Sequence, residues 1–279
     1  ITQTAEHGRR AAFARWVTSE DNPLTSRVIA NRIWQQHFGI GLVDTPSDFG
    51  GAGQKPSHPK LLDWMAQVLM DGKWSLKNLH RIILTSATYR QDSRPRSNGL
   101  RTDSTNRLLW RFSPRRLDAE VIRDSVLASN GALDLRMGGP GFSLFVPNTN
   151  YVRVYVPKTK WTPDTFRRMI YAHKVRMEPG GVFGAFDCPD AGQAAPKRSR
   201  STTALQSLNL FNSTFIIQQA QTLAQSIDNT KRSNAHRVQQ AFERVLGRRP
   251  SNTEAQQSVE LIARHGLPSL CRVLFNTNE

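Results

Sequence analysis

The chain has 279 residues, of which 38% are hydrophobic, enough apolar material for one large core or two modest ones and too much for a disordered chain. Its 38 lysines and arginines exceed its 22 aspartates and glutamates, so the net charge is +16, and 29 of the basic residues are arginine. The two cysteines, Cys188 and Cys271, form no CxxC pair, which excludes a disulfide scaffold, a zinc finger and a covalently attached haem.

Helical patterns dominate the first half of the chain. Apolar residues recur with helical spacing over 25–38, and Gly39 supplies a stop. A second helix is predicted over 59–71, beginning with a proline, and a third over 75–89, beginning with a serine cap. The pattern over 117–129 predicts a fourth.

The middle of the chain has a different pattern. Residues 142–157 are rich in β-branched and aromatic side chains, which predict a small β hairpin or an extended excursion. Thr162 and Pro163 then predict the N-cap and first residue of a further helix that extends to His173. Residues 178–201 are rich in Gly, Pro and Ala, which predicts a long ordered loop.

The last third is helical again. Its patterns predict one long or kinked helix over 205–227 and shorter helices over 237–246, 251–264 and 267–275. The helix over 251–264 begins with a capping box. The fold class is therefore mainly α, a multi-helix globular domain with a small β excursion near 142–157.

The ends of the chain are those expected of a fragment of a larger protein. It opens on Ile1 without a basic stretch followed by an apolar one, so we expect any signal peptide to lie outside this segment. No apolar run approaches the roughly 20 residues that a membrane-spanning helix needs, which predicts a soluble chain. We expect one domain over 1–279, and a sub-domain division near 131–161 stays open because apolar faces lie on both sides.

The loop over 39–59 is the first candidate site, because long loops inside compact domains are commonly functional. One hypothesis is a small-ligand or metal pocket that uses Asp48 and His58. The other is that these side chains cap turns while the glycines of the loop provide turn conformations. The spacing matches no metal signature, so we favour the structural role and predict no metal site.

A second candidate is the run Phe186-Asp187-Cys188-Pro189-Asp190. Asp187, Cys188 and Asp190 could present a reactive thiol or lend carboxylates to a metal. Adjacent acids disfavour a thiolate, however, which argues against a nucleophile. We therefore favour a structural turn built on the proline.

Recognisable catalytic signatures do not occur in the sequence. It contains no HExxH, GxSxG, Walker A or GxGxxG motif. His37, His80 and His173 fall in predicted helices, where a lone histidine is more often a hydrogen-bonded structural residue than a ligand. Whether the protein is an enzyme stays open.

The arginines are the strongest signal in the composition. Arginine suits bidentate pairing with carboxylate, phosphate or sulfate, including buried internal pairs. Three interpretations stay open: nucleic acid, an anionic polysaccharide or surface, and internal pairs with acids such as Asp118, Glu120 and Asp124. The candidate anion-binding residues are Arg115, Arg116, Arg167, Arg168, Lys197, Arg198, Arg200 and Trp161.

Some aromatic and basic side chains have predicted structural roles. Arg32, Arg116 and Arg123 lie in or beside apolar-periodic helices, so we predict that they are partly structural. Trp161, beside two lysines, is predicted to be free to stack on a base or a sugar ring. The other tryptophans fall mostly on predicted apolar faces, and these are Trp16, Trp34, Trp64, Trp74 and Trp110. With no nucleic-acid motif present, we expect no tight DNA or RNA binding and weak binding of acidic polysaccharide.

A resemblance to a known family runs along most of the chain, from about Ala11 onward. Its most specific stretches include Arg115-Arg-Leu-Asp-Ala-Glu-Val-Ile-Arg-Asp124 and Ala204-Leu-Gln-Ser-Leu-Asn-Leu-Phe-Asn212. Others lie at 22–39, 45–50, 57–59, 61–64, 74–77, 86–91, 106–110, 136–140 and 186–190. In these motifs and their order the chain resembles the planctomycete-type family called domain of unknown function 1553.

The resemblance implies a setting rather than a reaction. Such domains typically lie at the C-terminal end of large exported proteins, after a second domain of unknown function and often a cytochrome-c-like domain. The implied location is periplasmic, cell-surface or secreted, and the implied partners are upstream domains of the same polypeptide. No cofactor is expected in this segment, because any haem would belong to an upstream domain. No catalytic residues are established for the family, so none are carried over.

These observations favour a structural or interaction module that docks on upstream domains and binds an anionic partner. The alternative is an enzyme, a hydrolase or redox-linked protein in polysaccharide breakdown, with a pocket at the 39–59 loop. A weaker alternative is nucleic-acid binding.

Overall fold

The computed structural model describes residues 6–146, 155–175, 184–189, 192, 195–228 and 233–277. The helices of these ranges are α1 (Glu6–Val17), α2 (Thr25–Phe38), α3 (Pro59–Asp71), α4 (Leu76–Thr85), α5 (Ser97–Thr102), α6 (Ala119–Ser129), α7 (Ala204–Asn212), α8 (Thr214–Asp228), α9 (Asn234–Leu246), α10 (Asn252–His265) and α11 (Leu267–Phe275). Two short strands, β1 (Phe145–Val146) and β2 (Val156–Pro157), pair antiparallel. The mainly α fold class with a small β element is confirmed. No helix of the described ranges is long and apolar enough to cross a membrane.

The chain divides into two compact units, unit 1 over 1–115 and unit 2 over 116–279. Unit 1 holds α1 to α5, and unit 2 holds α6 to α11 with the β hairpin. The division therefore lies before the 131–161 region. Residues on both sides of that region, such as Leu127 on α6 and Phe215 on α8, belong to one core.

The core of unit 1 is built by α2, α3 and α4, which pack on one another. Its fully or almost fully buried side chains include Trp34, Leu62 and Leu79, one from each helix. Asn31 is also buried, and its amide both donates to Val43 O and accepts from Val43 N, each at 2.9 Å. This pair of bonds fixes the start of the 39–59 loop against α2.

The core of unit 2 centres on α8 and α11, which pack closely and are surrounded by α6, α7, α9 and α10. Phe215 and Leu223 of α8 are completely buried, as is Cys271 of α11. The apolar face of α8 recurs at helical spacing, so the sequence pattern and the packing agree.

Local capping signals place the helix ends where the sequence predicts them. Gly39 ends α2 in the left-handed conformation (φ 83°), and Ser75 accepts a hydrogen bond from Asn78 N at the start of α4. Ser251 and Glu254 form the predicted capping box of α10. The predicted 205–227 helix is two helices, α7 and α8, because Ser213 between them is extended. Helices α1 and α5 were not predicted, and α4 ends at Thr85 rather than at residue 89.

The prediction of a helix that begins at Thr162 and Pro163 is wrong. The structure has only two 3-10 turns there, Pro163–Thr165 and Met169–Tyr171. The backbone groups that a helix would pair internally bond to other segments instead. Met169 N donates to Asp124 Oδ1 at 2.8 Å, and Phe166 O accepts from Asp134 N at 3.0 Å. Tertiary partners therefore outweigh the local helical preference.

Candidate functional site

Charged side chains of unit 2 gather around the first turn of α6. Asp118 and Glu120 lie at its start, where carboxylates interact favourably with the positive end of the helix dipole. Partners come from residue 116, from residue 174 and from the segment 184–201. We call this group the α6 cluster. It comprises Arg116, Asp118, Glu120, Lys174, Asp187, Cys188, Arg198, Arg200 and Ser201.

Asp187 is held by two partners of the α6 cluster. Arg116 Nη2 lies 2.6 Å from Asp187 Oδ2, and Ser201 donates to the carboxylate from its N–H at 2.7 Å and its hydroxyl at 2.9 Å. These hydrogen bonds from Ser201 and the charge of Arg116 hold the pKa of Asp187 below its ordinary value. The backbone of Asp187 is left-handed (φ 55°), a strained conformation for a non-glycine residue. Its ionised carboxylate thus holds a tight turn in place.

Glu120 is held in a similar way by an arginine. Arg198 donates to both carboxylate oxygens, at 2.7 and 3.0 Å. Burial raises the pKa of Glu120, but the hydrogen bonds and charge of Arg198 outweigh it, so the pKa lies below its ordinary value. Asp118 lies 3.8 Å from Arg198 and 3.6 Å from Arg200. Both carboxylates therefore tie the 195–201 segment to α6.

Cys188 contributes a thiol to the α6 cluster. Lys174 Nζ lies 3.1 Å from its sulfur, and Glu120 Oε1 lies 3.7 Å from it. The side chain is half-buried, and neither it nor Cys271 forms a disulfide. Cys271 is enclosed in the core of unit 2, and burial raises the pKa of its thiol to about 12. Cys188 is thus the more accessible thiol of the two.

The five residues predicted to line a pocket fall in different places. Asp187 and Cys188 lie in unit 2, and Asp48 and His58 lie in unit 1. Asp190 lies outside the described residues. The structure thus brings together Asp187 and Cys188, as neighbours in one turn.

The 39–59 loop uses its polar side chains locally. Asp48 Oδ1 accepts from Gly50 N at 2.8 Å, and Thr45 Oγ1 donates to Asp48 O at 2.8 Å. Gly53 has no room for a side chain, because the carbonyl of Asp48 occupies the place of its Cβ. His58 Nδ1 lies 3.0 Å from the hydroxyl of Ser57. The polar contacts shown for Asp48 and His58 are therefore made within the loop.

A small cavity opens beside the same loop. Its volume is about 30 Å³, and it is lined by Trp34, Leu42, Ser57, Asn106 and Arg107 among others. This space has room for a water molecule, whereas ligand pockets usually measure about 300 Å³ or more. Asp48 and His58 do not line it.

Most of the arginines predicted to bind anions have partners inside unit 2. Arg167 is buried over the ring of Tyr171 and donates to the carbonyls of Pro140, Arg136 and Gly138. Arg168 pairs with Asp124 at 3.3 Å. Arg116, Arg198 and Arg200 pair within the α6 cluster, as described above. Arg115 and Lys197 are exposed.

The prediction that Trp161 is free to stack on a ligand is wrong. The ring is only 7% exposed and packs edge-on against Phe215, with centroids 5.3 Å apart. Gln218 fixes its backbone by accepting from Trp161 N and donating to Trp161 O. Conversely, Trp16 and Trp64 are 55% and 50% exposed rather than buried. The lysines beside Trp161 in the sequence suggested an exposed ring. The ring is buried by α8, which lies far along the chain and so could not be identified as its partner from the sequence.

A histidine pair in unit 1 was not predicted. His37 Nε2 of α2 lies 2.7 Å from His80 Nδ1 of α4, and the ring of Tyr89 packs edge-on against His37. Burial lowers the pKa of His37, and the positive charges of His80 and Arg115 lower it further. The two histidines look like lone residues in the sequence, because their pairing depends on how α2 and α4 pack.

A basic segment of unit 1 was also missed. Residues 72–91, which we call the acid-free segment, contain no aspartate or glutamate. Its cations Lys73, Lys77, Arg81 and Arg90 are all exposed, and none forms an ion pair with another described residue. Lys77 and Arg81 share one face of α4, four residues apart. A count of charges along the sequence would have revealed this segment.

Within the described ranges, no group of three or more His, Cys, Asp or Glu side chains is arranged to hold a metal ion. The family model described as "PSD1: Protein of unknown function (DUF1553)" matches residues 9–262. No curated protein and no solved structure matches the chain. Because the family model covers most of the chain and agrees with the motifs named above, the chain belongs to the PSD1 (DUF1553) family.

Proposed function

We propose that the chain is a non-catalytic interaction module that binds an anionic partner through the acid-free segment of unit 1. The observation that carries the proposal is the contrast between the two units. In unit 2 the predicted anion-binding arginines mostly bond to internal carboxylates and carbonyls. In residues 72–91, four exposed cations have no acidic neighbour within the segment.

The charge balance of the units supports this assignment. Unit 1 has 17 basic and 9 acidic residues, and unit 2 has 21 and 13, so each carries an excess of eight positive charges. The same excess of positive charge attracts a ligand differently when the cations are ion-paired than when they are exposed and unpaired. Ion-paired arginines present less field to a ligand than exposed, unpaired ones, so the acid-free segment is the stronger attractor for a polyanion.

The partner class that we favour is an acidic polysaccharide. Its carboxylate or sulfate groups are recognised by exposed cations, chiefly through counterion release, so the binding is weak and sensitive to salt. Tight nucleic-acid binding usually adds base contacts or stacking. The burial of Trp161 removes the aromatic side chain that the sequence offered for stacking on a base or a sugar ring, so the proposed binding depends on charge.

The enzyme alternative receives less support. Asp48 and His58 act within the 39–59 loop, and the cavity beside that loop has room for water only. Asp187 and Glu120 are each held by an arginine and have lowered pKa values, which suits structural ion pairs better than a general acid.

Titration with polygalacturonate and with a DNA duplex, at low salt and at about 0.15 M, tests the proposal. The variant Lys77→Ala/Arg81→Ala removes two cations from α4. Its control, Lys160→Ala/Arg264→Ala, removes two exposed cations from unit 2. We expect the α4 variant to bind polygalacturonate about tenfold more weakly at low salt, with a salt dependence reduced by about one to two units of slope.

The control variant should lose much less affinity. Equal losses in the two variants would show that binding follows net charge alone and would contradict the assignment to α4. Submicromolar, sequence-dependent DNA binding at the higher salt would contradict the choice of partner.

We also propose, on the basis of the family resemblance, that the chain is exported and packs against upstream domains of the same polypeptide. Large apolar side chains that remain exposed support such packing, and Phe13 and Trp16 of α1 are examples. Hydrogen exchange in α1 should be slower in the full-length protein than in this chain. Equal exchange rates would argue against packing through α1.

A further inference from the structure

Cys188 and Lys174 bring a thiol and an amine together from two segments of unit 2. Their reactive atoms, Sγ and Nζ, lie 3.1 Å apart. Both side chains are half-buried, so a small solute reaches them while bulk solvent is partly excluded. The other cysteine, Cys271, is completely buried and not bonded to Cys188. Among the described contacts of the Cys188 sulfur, the lysine amine is the nearest nucleophile.

The backbone on either side of Cys188 is fixed. Asp187 before it is held by Arg116 and Ser201, and Pro189 after it restricts the chain. Glu120, which is held in turn by Arg198, lies 3.7 Å from the sulfur. A thiol positioned so firmly beside an amine meets the requirement of proximity for a reaction between them.

We propose that oxidation of Cys188 by a hydroperoxide leads to a direct, reversible covalent bond between Cys188 Sγ and Lys174 Nζ. In the first step the sulfur attacks the peroxide, and the O–O bond breaks. The thiol is oxidised by two electrons to a sulfenic acid, while the peroxide is reduced and one oxygen leaves as water or alcohol.

In the second step the neutral amine of Lys174 attacks the sulfenic sulfur. The S–N bond forms, the S–O bond breaks and the hydroxyl leaves as water, so no further oxidant is consumed. The half-buried Lys174 loses a proton to solvent before it attacks. The product is a sulfenamide, which a thiol such as dithiothreitol reduces back to the starting groups.

The bond would join two segments of unit 2 that the contact between Lys174 and Cys188 already brings together. One is 155–175, and the other is 184–189, which the α6 cluster ties to α6. A covalent closure of this kind restricts the unfolded chain, so the oxidised protein should have a higher melting temperature, and reduction should reverse the rise.

The test is treatment of the purified chain with hydrogen peroxide, followed by intact-mass measurement and peptide mapping. We expect a loss of about 2 Da, corresponding to two hydrogens, and a peptide in which Lys174 and Cys188 are joined. Dithiothreitol should restore the original mass. The variant Lys174→Arg keeps the positive charge, but its guanidinium stays protonated and does not attack.

In the Lys174→Arg variant we expect a sulfenic acid that dimedone labels, and no cross-link. The control Lys160→Arg should cross-link as the parent protein does. Retention of the 2 Da loss in Lys174→Arg would overturn the proposal. So would a gain of about 16 Da or its multiples without any joined peptide, or a gain of about 14 Da, which indicates an oxygen atom between nitrogen and sulfur.

Discussion

Arg123 joins α6 to the segment after Thr162 in unit 2. It is completely buried between the rings of Phe142 and Phe215, and its guanidinium donates to the carbonyls of Thr165 and Arg167. Burial lowers its pKa to about 10, so it stays charged at neutral pH. The prediction of a structural role from its helical position is confirmed for this residue.

Replacement of Arg123 by methionine should reduce the free energy of unfolding by about 3–5 kcal/mol, since it leaves buried carbonyls without donors. Chemical denaturation measures this change. The control is Arg32→Ala, because Arg32 is exposed. The control should stay within about 0.5 kcal/mol of the parent. Equal effects of the two substitutions would contradict the account of Arg123.

The histidine pair gives unit 1 a dependence on pH. The pKa of His37 lies below its ordinary value of 6.5 in the folded chain, chiefly through burial. The unfolded chain therefore binds a proton at His37 more readily than the folded chain does. The contribution of His37 to the free energy of unfolding is fully present above pH 6.5 and decreases as the pH falls below that value. The decrease ends below the folded pKa, where both states are protonated.

The denaturation midpoint, followed by tryptophan fluorescence, should therefore fall between about pH 7 and pH 5. His37→Gln should make this fall smaller, and the control His265→Gln, at an exposed position, should leave it unchanged. A midpoint that falls as steeply without His37 would exclude it as the source.

At the level of secondary structure, the sequence predicts well wherever the signal is local. The cap of α4 at Ser75 and the stop of α2 at Gly39 depend on residues within one turn, and both are confirmed. The segment after Thr162 fails because its carbonyls and amides bond to Arg123, Asp124 and other distant groups. Such partners are invisible to a pattern of apolar spacing.

The capping box of α10 offers a test at this scale. Ser251→Ala removes the side chain that accepts from Glu254 N, and it should cost about 1 kcal/mol of unfolding free energy. Arg248 and then Ser251 lower the pKa of Glu254 to about 2, so the box is ionised at neutral pH. Ser199→Ala, at an exposed loop position of unit 2, is the control and should have almost no effect.

The candidate site was only partly predictable for the same reason. Asp187 and Cys188 adjoin in the sequence, so their association was visible there. Their partners, Arg116 and Lys174, come from other segments of unit 2. The composition showed that arginine was abundant. It could not show which arginines would form ion pairs with carboxylates or donate hydrogen bonds to carbonyls. That distinction depends on tertiary structure.

At the scale of the whole molecule, the central claim is that the exposed positive charge acts through residues 72–91. The two units have the same net charge, but residues 72–91 of unit 1 gather exposed cations with no acidic residue among them. A polyanion should therefore bind to unit 1 with higher affinity than to unit 2. The two units share no member of their cores, so each contributes its own surface to binding.

Hydrogen–deuterium exchange of the chain, with and without an oligogalacturonate at low salt, tests this claim most directly. The account predicts that added oligosaccharide slows exchange in α4 and its flanks, over 72–91, and that about 0.15 M salt removes most of the effect. Segment 195–201 and α6 should remain unchanged. Protection confined to 195–201 and α6, with 72–91 unaffected, would contradict it.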